Sequence, residues 1–192
     1  MIGIIDYEGG NKASVTNALE YLGIKYILAR DAGDLERCDG LILPGQGRFG
    51  DVMDKLSGMR EGLLSQLREG KPYLGICVGL QILFESSEED PGVPGLGIFK
   101  GRIRRFRQGK IPQVGWNMAS SSSPLFPKRE ERFYFVHSYY AISDEEIART
   151  KYGVSYSSAV QKGNIYAVQF HPERSGEAGL ELLKNFCEVR RC

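Results

Sequence analysis

Cys77 stands in "YLGICVGLQ" (residues 73–81), after a short apolar run and between Gly75 and Gly79. The pattern matches the G-x-S-x-G elbow of hydrolases with sulfur in place of oxygen. Its glycines permit a tight strand-to-helix turn, and the side chain between them stands exposed at the carboxyl end of a sheet. A thiol attacks as thiolate, and the N–H groups and dipole of a following helix favour that form. A buried structural cysteine, the common fate of an unpaired thiol, fits the same residue.

A thiol nucleophile needs a base, and usually a third group to orient the base. The chain has two histidines. His171 lies in "VQFHPE", where Pro172 stops a strand and Glu173 follows two residues on. In extended geometry His171 and Glu173 project to the same side, as base and orienter or as an ion-paired strand end. His137, inside the aromatic run "FYFVHSYY", reads as a hydrogen-bonded structural histidine.

"LILPGQGRFGD" contains Gly45, Gly47 and Gly50 in the G-x-G-x-x-G spacing of dinucleotide sites. Pro44 at the turn and Asp51 at the helix start argue against a pyrophosphate there. The same glycines suit a loop whose N–H groups meet a developing oxyanion, or a plain tight turn. Arg102, Arg104, Arg105 and Arg107 read as an exposed strand face or a partner contact, with Ile103 turned the other way.

These residues need a scaffold. In the first half, "IGIID", "KYILA", "DGLILPG" and "YLGIC" read as strands. Between them, Val15, Ala18, Leu19 and Leu22 stripe one helix; Val52, Met53, Leu56, Leu63, Leu64 and Leu67 stripe a longer one. Beyond Cys77, Leu80, Leu83 and Phe84 continue at helical spacing. The second half is strand-rich: "GRIRRF", "RFYFVHSYYAI", and "SSAVQKGNIYAVQF" with a turn at "KGN". A closing helix carries Leu180, Leu183, Phe186 and Cys187, while "EEDPGVPG" (88–95) and "SSSSP" (120–124) read as loops. The expectation is an α/β fold with a mostly parallel central sheet flanked by helices and a strand-rich second half, as one domain over residues 1–192.

Charge excludes some functions. Lys and Arg total 25 against 24 Asp and Glu, so no net field favours nucleic acid or a membrane surface. The four cysteines (Cys38, Cys77, Cys187, Cys192) form no C-x-x-C pair, which with so few histidines argues against a metal site and for reduced thiols in the cytoplasm. Asp6 interrupts the first apolar run too early for a signal peptide, and no apolar stretch is long enough to span a bilayer.

"GICVGLQ" with "VQFHPE" downstream resembles the class I, triad-type glutamine amidotransferases, and the likeness spans the whole chain. "DYEGGN", "PGQGRF", "PQVGWN" and "FVHSYY" look like those of a member serving histidine biosynthesis. Gln113 stands where that pattern has His in "PHMGWN", Glu8-Gly9 where it has Gly-Met in "DYGMGN", and Arg174 where Lys is frequent. The resemblance implies Cys77 as nucleophile, His171 as acid and base, and Glu173 as orienter. It implies an oxyanion hole from Val78 and the Gly45-Gln46-Gly47 loop, and glutamine contacts from Gln81, Glu89, Ser138 and Tyr139. It implies no metal and no cofactor, and as partner a (β/α)8 cyclase subunit that receives the ammonia in a heterodimer. A glutaminase of another synthase, such as the pyridoxal phosphate enzyme, would share the triad; a nicotinamide-dependent oxidoreductase or a noncatalytic interaction subunit would not need it.

Overall fold

The computed structural model describes residues 1–9 and 11–189. In chain order the elements are β1 (Ile2–Ile5), α1 (Lys12–Tyr21), β2 (Tyr26–Ala29), α2 (Ala32–Arg37), β3 (Gly40–Leu43), α3 (Phe49–Lys55), α4 (Arg60–Arg68), β4 (Tyr73–Ile76), α5 (Val78–Gln81) and β5 (Phe84–Ser87). There follow β6 (Phe99–Arg105), β7 (Gln113–Ser121), β8 (Glu130–His137), β9 (Tyr139–Tyr140), β10 (Glu146–Tyr152), β11 (Val154–Lys162), β12 (Ile165–Val168) and α6 (Gly176–Cys187). Short 3-10 turns occupy Ser57–Met59 and Pro172–Arg174.

Among the described residues, nine strands form one sheet in the order β2-β1-β3-β4-β12-β11-β10-β7-β8. The pairings from β2 to β12 are parallel and those from β12 to β8 antiparallel. The strands of the parallel half are four-residue apolar runs, as expected where helices cover both faces. Alternation along β3 divides the core: Leu41 and Leu43 pack with Leu35, Val52 and Leu63 of α2 to α4, while Ile42 packs with Val15 and Leu19 of α1 and with Leu182 and Phe186 of α6. Beside this sheet, β5, β6 and β9 form a small second one.

The expected long helix is two. Leu56 and Leu63 are seven residues apart, so the stripe keeps its phase across the Ser57–Met59 turn and periodicity could not reveal the break. The helix after Cys77 is one turn, not a run to Phe84. Its continuation is captured because the carbonyls of Ile82 and Leu83 accept from the amides of Leu96, Ile98 and Phe99, which turns Phe84 into a strand. "RFYFVHSYYAI" is likewise not one strand: after His137 the chain leaves the large sheet, and Tyr139 and Tyr140 pair with Arg105 and Arg104 of β6. Ser120 and Ser121, expected in a loop, close β7 opposite Arg149 and Ala148. Ile103 is buried with Arg102 and Arg104 exposed, as the strand alternation required.

Candidate active site

The site lies at the carboxyl end of the parallel strands. β4 and β12 are parallel neighbours in register, Ile76 beside Val168, and the Cys77 amide donates to the Val168 carbonyl at 2.8 Å. That pairing brings Cys77 and the "QFH" segment after β12 together from distant parts of the chain. Cys77 has φ +52°, a left-handed conformation that costs a non-glycine residue about 1–3 kcal/mol and persists only where its surroundings enforce it. Two glycines make room for the turn: a Cβ on Gly75 would lie 2.2 Å from the Gly79 carbonyl oxygen, and one on Gly79 would lie 2.8 Å from that of Leu43.

His171 is buried, and its Nδ1 lies 2.8 Å from Oε1 of Glu173, whose side chain is fully enclosed. The expected extended geometry is wrong here, because Pro172–Arg174 forms a 3-10 turn; the turn, not strand alternation, closes the pair. The His171 backbone is pinned by its amide on the Tyr134 carbonyl at 2.9 Å, while the Ser175 hydroxyl donates to the His171 carbonyl at 2.6 Å. The Cys77 sulfur lies near enough to the imidazole to act on its charge. Burial opposes protonation of the ring, but the nearby Cys77 sulfur and then the Glu173 carboxylate outweigh it, raising the pKa to about 10. The second carboxylate oxygen of Glu173 is buried without a partner, so that charge is directed at the imidazole.

The glycine loop borders this site. A Cβ on Gly45 would stand 1.9 Å from the Ile76 carbonyl oxygen and 2.7 Å from the Cys77 Cβ, so the loop backbone rests directly on the elbow. Gly47 has φ +138°. The start of α3, where a dinucleotide would set its pyrophosphate, is occupied: Phe49 N–H donates to Glu89 Oε2 at 2.9 Å, Gly50 N–H to Asp90 Oδ2 at 2.8 Å, and Arg48 pairs with Asp90. Two carboxylates at that helix start disfavour an anion. Val78 opens α5, whose first N–H groups have no carbonyl within the helix.

Of the expected glutamine contacts, Gln81 is buried one turn after Cys77, its Nε2 donating to the Tyr139 carbonyl at 3.3 Å and to Gln169 Oε1 at 3.2 Å. The Ser138 carbonyl is taken by the Phe106 amide, and the Tyr139 carbonyl also receives His137 Nδ1. Glu89 spends one oxygen on Phe49, and burial raises its pKa. Gln169 escaped the sequence reading. It is fully buried and its Nε2 donates to the Cys77 sulfur at 3.6 Å; the signal was a lone amide between Val168 and Phe170 just before the histidine. Cys187 is an unbridged thiol, and Cys38 Sγ donates to the Asp34 carbonyl at 3.2 Å. Cys192 lies outside the described residues.

Residues 3–189 match the family "Glutamine amidotransferase class-I". A curated relative from Methanothermobacter thermautotrophicus, named imidazole glycerol phosphate synthase subunit HisH, is 49% identical, with 100% of each chain covered. One of the same name from Methanocaldococcus jannaschii is 44% identical over 98% of this chain and 100% of its own. Among solved structures, a crystal structure of a glutamine amidotransferase superposes with a TM-score of 0.79 at 22% identity, covering 97% of each chain, and a chain in the structure of PurLQS from Thermotoga maritima with 0.77 at 22%, covering 97% of this chain and 96% of that one; these two show the fold. The chain belongs to the class-I glutamine amidotransferase family, an α/β enzyme family. Its full-length relatives place it, within that family, among the HisH subunits of imidazole glycerol phosphate synthase.

Proposed function

We propose that this chain, as one glutamine amidotransferase domain over residues 1–192, hydrolyses glutamine through a Cys77–His171–Glu173 triad and passes the ammonia to a (β/α)8 cyclase subunit bound as a heterodimer. The observation that carries the reading is the strained turn at Cys77, held beside an imidazole that is itself bonded to a buried carboxylate. The Cys77 thiolate attacks the side-chain amide carbon of glutamine. The resulting oxyanion meets the Val78 N–H and an N–H of the Gly45-Gln46-Gly47 loop. Collapse of this intermediate breaks the C–N bond as His171 gives its proton to the departing nitrogen, which leaves as ammonia with a glutamyl thioester behind. His171 then takes a proton from water, the hydroxide adds to the thioester, and expulsion of the thiolate releases glutamate. Glu173 fixes the tautomer and steadies the imidazolium. Gln81 and Gln169 line the nucleophile's surroundings, and Glu89, Ser138 and Tyr139 border the glutamine.

The partner reading is supported by the names of the relatives and by a surface. Val114, Trp116 and Met118 alternate along β7, 58%, 56% and 40% exposed, opposite Val136, Tyr134 and Arg132 of β8. The carbonyls of Val136 and Tyr134 face Cys77 and His171, so this apolar stripe adjoins the chemistry. No helix among the described residues is long and apolar enough to cross a membrane. The reduced state of Cys77 and Cys187 fits a reducing cytoplasm. Co-expression with a (β/α)8 cyclase tests the whole reading: a stable pair should consume glutamine only when assembled or faster when assembled, and transfer its nitrogen to the cyclase product. A chain that binds no cyclase and releases no glutamate would refute it.

A further inference from the structure

Tyr7 has no part in the triad, yet its hydroxyl reaches the loop beside the nucleophile. It lies 3.0 Å from the Pro44 carbonyl and 2.9 Å from the Gln46 carbonyl. These oxygens belong to the Pro44–Gly45 and Gln46–Gly47 peptides; the peptide between them, Gly45–Gln46, carries the Gln46 N–H. We propose that Tyr7 is a positioning residue for glutamine hydrolysis, tying down the peptides on either side of Gly45–Gln46 and so holding the Gln46 N–H within reach of the oxyanion formed at Cys77. This rests on the reading of Cys77 and its loop given above.

Loop composition makes such a tie necessary. Gly47 sits at φ +138°, and Gly45 bears no side chain because the elbow backbone fills that space. Two glycines flanking Gln46 leave the intervening peptide free to rotate unless something outside holds its ends. Beyond the loop, Glu89 and Asp90 hold the amides of Phe49 and Gly50, so the loop is restrained at its far end; Tyr7 supplies the restraint at the near one.

The anchor is itself built to stay put. Tyr7 is 2% exposed, and burial raises its hydroxyl pKa to about 12, so it remains a donor throughout the working range. A Cβ on Gly9 would stand 2.7 Å from the Tyr7 ring, so that glycine lets the backbone close over the ring. On either side, Asp6 is paired with Lys12 and Arg30, and the Glu8 carbonyl accepts from Lys55 of α3 at 3.1 Å. Glu8 has φ +58°, so a strained residue follows the anchor at a position where the resembled pattern has glycine. A tyrosine placed only to fill space would not need its oxygen between two carbonyls of the oxyanion loop.

The test is Tyr7→Phe in the assembled complex, which keeps the ring and removes only the hydroxyl. A donor displaced by a fraction of an ångström costs most in the transition state, so kcat for glutamine should fall about 10- to 100-fold while KM stays within about threefold. Affinity for glutamate γ-semialdehyde, which forms an oxyanion-bearing adduct with a cysteine thiolate, should fall by a similar factor, and affinity for glutamate should not. The cyclase reaction driven by added ammonium should be unchanged. If kcat moves by less than about threefold, or if KM, aldehyde affinity and glutamate affinity deteriorate together, Tyr7 only packs the site and the proposal fails. Cys77→Ala, run alongside, separates the two readings. An active Cys77→Ala complex overturns both, whereas a dead one beside a fully active Tyr7→Phe complex overturns only the anchor.

Discussion

His171 and His137 are buried to nearly the same degree, the first just beyond β12 and the second at the end of β8, but in regions of opposite character. Around His171, one carboxylate with an unspent oxygen and one sulfur converge on the ring, and its pKa rises to about 10. Around His137 the contacts are neutral: Nδ1 lies 2.7 Å from the Tyr139 carbonyl and Nε2 3.2 Å from the Tyr156 hydroxyl. Burial then prevails and lowers its pKa to about 4. A carbonyl accepts only, so Nδ1 of His137 carries the proton and Nε2 accepts from Tyr156. On its other side the Tyr156 hydroxyl meets Gln113 Oε1 at 3.0 Å, so the ring is held in a chain of neutral partners. Equal burial therefore yields a histidine whose protonated form is favoured in one region and one whose neutral form is favoured in the other. The groups facing the ring decide which.

The contrast is broken most directly at Cys77, the proposed nucleophile. Cys77→Ala should abolish glutamine-dependent turnover of the complex while ammonium still supports the cyclase, and Cys38→Ala and Cys187→Ala should leave glutaminase activity largely intact. The measurement is product formation with each nitrogen source; near-normal glutamine hydrolysis by Cys77→Ala would remove the nucleophile from the scheme. Next come the base and its orienter. His171→Ala should lower kcat by about 10^4-fold or more and Glu173→Gln by about 10^2- to 10^4-fold, since the second retains the imidazole in a poorer tautomer. Unfolding midpoints measured on the same samples distinguish this from a mere loss of an ion pair, which would lower stability and spare kcat.

His137→Gln sharpens the comparison from the other side. It should cost about 1–3 kcal/mol of stability by stranding buried partners, with kcat reduced less than about tenfold. A loss as large as that of His171→Ala would mean the two regions share one function. The smallest effect is on pH dependence. His137 has a folded pKa below its ordinary 6.5, so its contribution to stability is complete above about 6.5 and is lost as pH falls through about 4. His171 has a raised folded pKa, so its contribution is complete below about 6.5 and is lost as pH rises through about 10. Denaturant midpoints across this range should show a flatter acid limb for His137→Gln and a flatter alkaline limb for His171→Gln. Parallel curves for both variants and the parent chain would show that neither histidine is shifted.

Local pattern carried much of this molecule. The strands β1 to β4 were legible because each is a short apolar run bounded by turn residues, and α1 and α6 because their stripes keep helical period. The elbow could be placed at Cys77 from two glycines alone. The antiparallel half was harder: β10, with Glu146, Arg149 and Lys151 among its residues, has too little apolar alternation to announce a strand, and it is held by β11 and β7. α2 was missed for a related reason. Its only buried residue is Leu35, and a helix with one anchoring side chain has no period to detect.

What the sequence determined by itself is the chemistry available: one thiol in a turn that only small neighbours allow, one histidine followed at two residues by a carboxylate, and a glycine loop able to approach closely. What only the tertiary structure decided is how those parts meet. Parallel pairing of β4 with β12 sets Cys77 beside His171, a 3-10 turn swings Glu173 onto the ring, and Tyr7 at the end of β1 reaches across to the loop after β3. The physical reason is that strand order and register come from burying both faces of a sheet, a property of the whole chain. The types and local spacings of reactive residues are written position by position.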